Sequence, residues 1–236
     1  MQKIETQYIK RSPLTGATAS RVDQITCTLI DHIVSMEPNS LFGTEVRLLG
    51  GRRRADVITL SNRIRIFEIK TAQDNTQRLN DQVRDMMYLC DELYVVCETN
   101  NIDYISKNLP FNAGLIQITD FGGVVIKRKA TINRQLNSLA VIHTLDLPGL
   151  RKLAADVNLR ISRRGADELR HLLAERIQHK AVRQRYTEYL ISKIQYQWYE
   201  FMRSRGQVTH PDDLPLLSCR KIIKEQNRDK AAAPAE

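Results

Sequence analysis

Apolar and polar residues alternate along the chain with two periods, one typical of helices and the other of strands. Between Arg21 and Val34 the apolar residues recur every three or four positions, which predicts an amphipathic helix. Further on, short apolar or alternating runs predict strands, and turn residues such as the Gly50-Gly51 pair separate them. The predicted strands are 44–49, 55–60, 64–70, 93–97, 114–118 and 124–128.

Helical periodicity returns twice between these strands. A stripe of apolar residues from Leu79 to Cys90 predicts a second helix over about 74–90, and a short helix is predicted near 101–108. The resulting order, α-β-β-β-α-β-α-β-β, is typical of a mixed sheet with flanking helices. The sequence therefore predicts an α/β fold for this part of the chain.

Beyond Thr131 the strand pattern stops and helical spacing takes over. We expect helices over 137–145, 149–157, 165–179 and 181–204. The predicted organisation has four parts, and we expect the last of them to fray at its end. They are a polar lead-in (1–19), an α/β core (20–133), an all-helical C-terminal domain (134–205) and a polar tail (206–236).

The charge balance indicates the kind of partner. The net charge is +9, with 18 Lys/Arg against 15 Asp/Glu in residues 1–135 and 18 against 12 in residues 136–236. Such an excess favours a polyanion, and nucleic acid first, because phosphates release counterions when Lys and Arg bind them. A generally basic protein without such a partner is the simpler alternative.

The remaining composition points to a protein of the cytoplasm. Hydrophobic residues make up 42% of the chain, which argues against wholesale disorder. The four cysteines show no CxxC spacing, so we expect reduced thiols. We find no signal peptide and no apolar run near the ~20 residues that span a bilayer, and so expect no membrane partner.

Three charged residues occupy related positions on the second and third strands. Side chains alternate between faces, so Asp56 shares a face with Leu60, while Glu68 and Lys70 share one with Ile64. If the loop is 61–63, Leu60 pairs with Ile64 and Asp56 falls opposite Glu68. Directly opposed Cβ atoms lie about 4.5–5.5 Å apart.

Two facing carboxylates repel each other, and a divalent cation would remove that repulsion. A small number of oxygen ligands suits Mg²⁺, for which Mn²⁺ would substitute, and the ion could activate water towards a phosphate. Lys70 would then place a cation beside that water or the developing charge. The plainer alternative is a surface Glu–Lys strand end, with Asp56 capping a turn.

The segment GRRRADVITL…IRIFEIKT, followed by D-x₃-RL-x₂-Q, resembles the PD-(D/E)XK, restriction-endonuclease-like superfamily, and within it a group of small bacterial and phage proteins. The resemblance implies an αβββαβ core and a Mg²⁺-dependent deoxyribonuclease. It makes Asp56 and Glu68 metal ligands together with Ile69, and makes Lys70 the catalytic lysine. It also suggests Glu45 as an additional acid and Gln82 as a helix residue facing the site.

One departure from that pattern concerns the second helix. Related nucleases often carry Tyr four residues after this Gln, where this chain has Met86. Asp74, Arg78 and Gln82 stand at i, i+4 and i+8, which would form a stripe beside the apolar face. A solvated helix face is an equally good interpretation of Asp74 and Arg78.

Besides Arg78, two groups of arginines are candidates for nucleic-acid contacts through phosphates. The first is the run Arg52, Arg53 and Arg54, which enters the strand of Asp56. The second lies in a link between two predicted helices, resembling a SAP-type DNA-binding module, and includes Arg160, Arg163 and Arg164. A helical cap on the sheet explains this region equally well.

The last predicted helix, 181–204, is rich in aromatic residues. Its stripe predicts core packing or an interface with a protein partner, such as a second copy of the chain. Two functions then remain. The first is an active metal-dependent DNA nuclease. The second is a protein of nuclease fold that binds nucleic acid without cutting it, as a regulatory or repair-complex subunit.

Overall fold

The computed structural model describes residues 20–71, 74, 78–160, 164–176 and 179–220. The strands are β1 (Leu41–Leu48), β2 (Arg53–Leu60), β3 (Ile64–Lys70), β4 (Glu92–Glu98), β5 (Gly114–Ile118) and β6 (Val124–Arg128). The helices are α1 (Arg21–Met36), α2 (Leu79–Met87), α3 (Ile102–Asn108), α4 (Ser138–Thr144), α5 (Leu147–Asp156), α6 (Ala166–Arg176), α7 (His179–Ser204) and α8 (Leu214–Leu217).

The strands form one mixed sheet in the order β1-β2-β3-β4-β5-β6. The pairs β1·β2, β2·β3 and β5·β6 are antiparallel, while β3·β4 and β4·β5 are parallel. Parallel neighbours need a crossover connection, and α2 and α3 provide it. The predicted mixed α/β fold with a helical C-terminal part is therefore confirmed.

Local patterning placed most elements within a few residues of their bounds, but α2 begins later than predicted. Asp74 lies before the helix, because its carboxylate accepts hydrogen bonds from the Thr71 backbone N–H (2.6 Å) and hydroxyl (2.8 Å). The helix itself starts at Leu79. A single helical stripe through Asp74, Arg78 and Gln82 is therefore wrong.

Two hydrophobic clusters fill the interior. The smaller one joins α1 residues such as Leu29 to Phe67 and Val96 of the sheet. The larger one joins sheet residues such as Ile66 to Leu150 and Tyr186 of the helical part. Since the sheet and the C-terminal helices share this cluster, the arrangement favours the helical cap over a separately folded domain.

The long helix α7 packs along the edge strand β1. Gly43 allows this close approach, because a Cβ at that position would lie 3.0 Å from Cγ1 of Ile194. On the opposite edge strand, β6, Lys127 is exposed.

The segment 209–220 is folded against the α/β core, so the expected polar tail is wrong for these residues. The Thr209 N–H and hydroxyl donate to the buried Asp31 carboxylate at 2.9 and 2.5 Å. Leu217 is fully buried, and Ser218 forms a parallel bridge with Thr44. Burying Leu217 and satisfying Asp31 fix this segment in place.

Residues 1–19 and 221–236, predicted as a lead-in and as the end of the tail, lie outside the described residues. Within the described ranges, no helix is both long enough and apolar enough to cross a membrane.

Candidate active site

The candidate site lies where β2 and β3 stop pairing. The predicted register is confirmed, because Leu60 pairs with Ile64 and the ladder continues to Val57 opposite Phe67. One step further, the same register places Asp56 opposite Glu68. There the Asp56 carboxylate accepts a hydrogen bond from the backbone N–H of Ile69 at 2.8 Å. The Asp56 side chain is thereby held at the fork between the two strands.

Glu68 and Lys70 form a buried ion pair beside this fork. Their side chains project on the same face of β3, and Lys70 Nζ lies 2.8 Å from Glu68 Oε1. Glu68 is only 3% exposed and Lys70 only 7%. Among the described residues, the second oxygen of Glu68, Oε2, is buried without a hydrogen-bond partner. A buried carboxylate oxygen without a partner is costly and calls for an explanation.

The environment makes it difficult for both acids to be charged at once. Burial raises the pKa of Glu68 to about 7, the charge of Asp56 adds to the rise, and Lys70 opposes it. Burial also raises the pKa of Asp56, against the lowering effect of the Ile69 N–H and the nearby Lys70. The two carboxyls are thus close enough to repel, and one cation between them only partly compensates.

Glu45 lies at the position of β1 that would face Asp56, but its carboxylate is bound by the chain's last described residues. Ser218 Oγ donates to Glu45 Oε2 at 2.8 Å, and Arg220 lies 2.5 Å from Oε1. The backbone of Glu45 is left-handed, with φ of 57°, which is uncommon for a residue with a side chain. These long-range contacts hold Glu45 in that conformation.

The three arginines that enter β2 have different partners. Arg53 pairs with Asp85 of α2 at 2.8 Å, so it serves to fix that helix. Arg54 is about half exposed, lies 4.0 Å from Glu45, and lowers the pKa of Asp56. Arg52 is exposed, and its Nε donates weakly to its own loop at 3.4 Å. Arg54 is therefore the member of this run that belongs to the site.

The predicted helix residues take no part in the described contacts of the two acids. Gln82 is half-buried on α2, and Arg78 is exposed directly before the helix. Asp74, by contrast, lies near enough for its charge to raise the pKa of both Asp56 and Glu68. Of the three residues that the sequence singled out in this segment, Asp74 therefore influences the two acids, whereas Gln82 and Arg78 have no described contact with them.

The basic link of the helical part is described only at its two ends. Arg160 is exposed after α5, and Arg164 pairs with Glu168 of α6 at 3.0 Å. Arg163 lies outside the described residues. On α7, Tyr186 is buried, whereas Tyr196 and Tyr199 are exposed. A nucleic-acid role for the arginines and a partner for α7 stay predictions.

A cleft of about 410 Å³ opens beside the fork, and Asp56 and Glu45 lie in it. Residues from both ends of the described chain complete it, and sequence reasoning missed them. The run of leucines around Pro215 was the one signal that this segment packs. The additional lining residues include Val22, Asp23 and Thr26 of α1 and Leu214, Ser218 and Arg220 near the end.

The donors at the fork suit a magnesium ion in number and type. Among the described residues, no three His, Cys, Asp or Glu side chains are grouped closely enough to hold a metal by themselves. Mg²⁺ commonly takes only one or two carboxylates and completes its shell with waters and substrate phosphates. The oxygen donors at the fork are the carboxylate of Asp56 and Oε2 of Glu68, which has no hydrogen-bond partner among the described residues.

One protein-family model matches most of the chain. The model described as Bacteriophage P4 protein cII matches residues 17–218. The chain belongs to this family. No curated protein matches it.

Among solved structures, the chain is similar to a protein of unknown function from Silicibacter pomeroyi, at 13% identity and a TM-score of 0.38 over 77% of this chain and 92% of that one. A likeness this distant carries no argument about fold or activity.

Proposed function

We propose that the chain is a Mg²⁺-dependent deoxyribonuclease with a restriction-endonuclease-like αβββαβ core of the PD-(D/E)XK type. The observation that carries the proposal is the buried Glu68 carboxylate. It is paired with Lys70 through one oxygen and lies beside a second acid at a strand fork, and its other oxygen has no hydrogen-bond partner in the described part of the chain. Buried charges that perturb one another's pKa values in this way are typical of a functional site.

In the proposed mechanism, Asp56 and Glu68 would hold the metal ion. The N–H of Ile69 orients Asp56, so Ile69 acts first as a positioning residue, and its carbonyl oxygen is the atom left to serve as a ligand. When bound, Mg²⁺ supplies charge to polarise the scissile phosphate and lowers the pKa of water.

Lys70 and Arg54 provide the fixed positive charge. Lys70 cannot bind a cation, because an ammonium group has only donors. Its place on Glu68 instead lets it hold the attacking water or stabilise the negative charge on the phosphate. Arg54, half exposed at the mouth of the site, is placed to bind a neighbouring phosphate.

The test is cleavage of plasmid and linear DNA with and without Mg²⁺. Asp56→Ala and Glu68→Ala should each remove Mg²⁺-dependent cleavage, a loss worth several kcal/mol in the transition state. Asp81→Ala is the matched control, since Asp81 is a largely exposed acid on α2. Near-wild-type cleavage by either folded site variant would rule out this active site.

A second candidate, nucleic-acid binding without cleavage, has one observation in its favour. Lys70 already neutralises part of Glu68, and the described residues offer no third metal-binding side chain nearby. A binding-only protein would shift DNA in a gel, leave it intact with Mg²⁺ or Mn²⁺, and bind equally well after Asp56→Ala. The nuclease proposal predicts strand scission by the wild type.

A further inference from the structure

Two arginines lie opposite each other on β1 and β2, close to Asp56. In the antiparallel register of these strands Arg47 pairs with Arg54, and the next pair, Val46 with Ala55, is buried. Both arginine side chains are exposed. Building on the proposed function, we propose that Arg47 and Arg54 together bind the nucleic-acid backbone, at a phosphate next to the scissile one.

This arrangement of two like charges is unfavourable in the free protein. Directly opposed residues have Cβ atoms about 4.5–5.5 Å apart, and like charges at such positions repel. Glu45 lies 4.0 Å from Arg54, but Arg220 holds the same carboxylate more closely, at 2.5 Å. Among the described residues, Arg47 has no ion pair. The described part of the fold therefore leaves the repulsion between the two guanidiniums largely uncompensated.

Two other closely spaced arginines of the sheet are compensated. Arg63 and Arg65, at the start of β3, share the buried carboxylate of Glu92 at 2.5 and 2.6 Å. Arg65 also binds Glu37 at 2.7 Å. These arginines contribute to the fold through carboxylates of the chain itself. The contrast favours a ligand as the partner of the exposed pair on β1 and β2.

A phosphodiester is the ligand that suits this pair. Guanidinium groups have only donors, so two of them side by side bind an anion with several acceptor oxygens. Because residues of a strand rise by ~3.3 Å each, Arg54 lies roughly 7 Å along β2 from Asp56. A nucleic-acid strand with its scissile phosphate at Asp56 can therefore present a neighbouring phosphate to both arginines. That phosphate would neutralise part of their repulsion.

The experiment measures fluorescence anisotropy of a labelled DNA oligonucleotide with the full chain, in Ca²⁺ and over a range of salt concentrations. Arg47→Gln and Arg54→Gln should each weaken binding about ten-fold and reduce the salt slope by about one, because a phosphate contact is lost. Arg203→Gln is the matched control, since it removes the same charge from an exposed position on α7. An equal loss in the control, unchanged binding in Arg47→Gln, or no binding by the wild type would overturn the inference.

Stability without DNA separates a binding role from a structural one. Arg47→Gln should keep or raise the urea midpoint, because it removes a repulsion. Arg65→Gln should lower the midpoint, because Glu37 and Glu92 lose a partner. An equal fall in both variants would show that Arg47 is structural and overturn the inference.

A conservative variant tests the geometry of the contact. Arg47→Lys keeps the charge, so the salt slope should stay at the wild-type value. Part of the affinity should still be lost, because an ammonium group cannot bind a phosphate through two parallel hydrogen bonds. A salt slope as shallow as that of Arg47→Gln would contradict a phosphate contact at this position.

Cleavage in Mg²⁺ separates this inference from the proposed function. Cutting by the wild type that slows in Arg47→Gln at low DNA concentration, and recovers at saturating DNA, supports both. Cutting by a wild type whose DNA affinity does not depend on Arg47 leaves the nuclease and overturns the phosphate contact. Binding that depends on Arg47 and Arg54, without any cutting by the wild type, supports the contact and overturns the nuclease.

Discussion

Two buried carboxylates near opposite ends of the parallel strands have contrasting surroundings. Asp91, before β4, receives both terminal nitrogens of Arg183 at 2.7 Å and the Ile64 N–H at 2.8 Å. Glu68, near the end of β3, has one ammonium partner and one oxygen for which the described residues provide no hydrogen-bond donor. Both acids are almost fully buried, 4% and 3% exposed.

Asp91 has its hydrogen bonds satisfied and stabilises the fold, whereas Glu68 has an oxygen whose hydrogen bonding the described residues do not satisfy. Removing one partner of a buried pair is costly because the other group stays behind. Asp91 and Arg183 join the sheet to α7 in this way. Burial of Glu68 contributes little to the stability of the fold without a ligand. The oxygen that has no partner among the described residues could accept an interaction from one. Mutations at the two acids should therefore have opposite consequences.

The largest expected effect comes from removing α7 together with the other C-terminal helices. A chain of residues 1–135 loses Arg183 and 15 of the 35 buried residues of the larger hydrophobic cluster. We expect it to be insoluble or unfolded by circular dichroism, whereas a chain ending at Arg220 should fold. A soluble 1–135 with a cooperative unfolding transition would instead support the separate helical domain that the sequence suggested.

The next effect compares the two acids directly. Asp91→Asn should lower the free energy of unfolding by about 3 kcal/mol, the low end for a broken buried pair because Arg183 is partly exposed. Glu68→Gln should leave stability near neutral pH unchanged or raised, because it removes a charge that the fold does not satisfy. Urea titration of both variants measures this. Equal destabilisation would show that Glu68 is structural as well.

Lys70→Ala should slow cleavage by about 100- to 1,000-fold, as expected for loss of one group that stabilises transition-state charge. The variant also leaves Glu68 without its cation, which raises the pKa of Glu68 further. Metal binding, followed by calorimetry, should therefore weaken at neutral pH and recover in more alkaline buffer. If metal binding stays absent at high pH, the lysine supports the fold of the site.

The pKa of Glu68 predicts a pH dependence of stability. It rises from 4.5 to about 7 on folding, so its contribution is complete below pH 4.5 and is lost as pH rises through about 7. Relative to Glu68→Gln, the wild type should lose on the order of 3 kcal/mol between these limits. Mg²⁺ should restore part of that loss above pH 7. Parallel stability curves for the two proteins would contradict the raised pKa.

The smallest effect concerns the basic link in the helical part. Arg160→Glu should lower DNA affinity only a few-fold and reduce the salt slope by about one, if the exposed guanidinium meets one phosphate. Arg164→Glu should change DNA affinity less, because Arg164 is paired with Glu168 and the main effect of the variant is the loss of that ion pair. Salt titration of binding distinguishes the two. Unchanged DNA affinity in Arg160→Glu would indicate that this region serves only as a helical cap on the sheet.

The sequence predicted what short-range periodicity controls. Alternation placed Leu60 opposite Ile64, and the register then brought Asp56 and Glu68 to the same fork. Helical spacing likewise located α1 and α7 within a few residues.

Contacts between distant residues were not predictable in this way. Ser218 reaches Glu45 across 173 positions, and no local pattern encodes that approach. The start of α2 was misplaced because the Asp74 side chain binds the backbone of Thr71 in place of joining the helix. Charge spacing alone also could not show that Arg53 forms an ion pair with Asp85 while Arg54 lies near Glu45 of the site.

The close packing of Ile194 on Gly43 has a consequence for colloidal behaviour. An uncovered edge strand is a template for intermolecular pairing, and fibrils grow from such edges. Here α7 packs on Gly43 of β1, the Cys219 N–H pairs with the Thr44 carbonyl of the same strand, and β6 carries the exposed charge of Lys127. A bulky residue at Gly43 would displace α7 and expose the apolar surface of β1. Such a variant should form thioflavin-positive aggregates at concentrations where the wild type stays monodisperse.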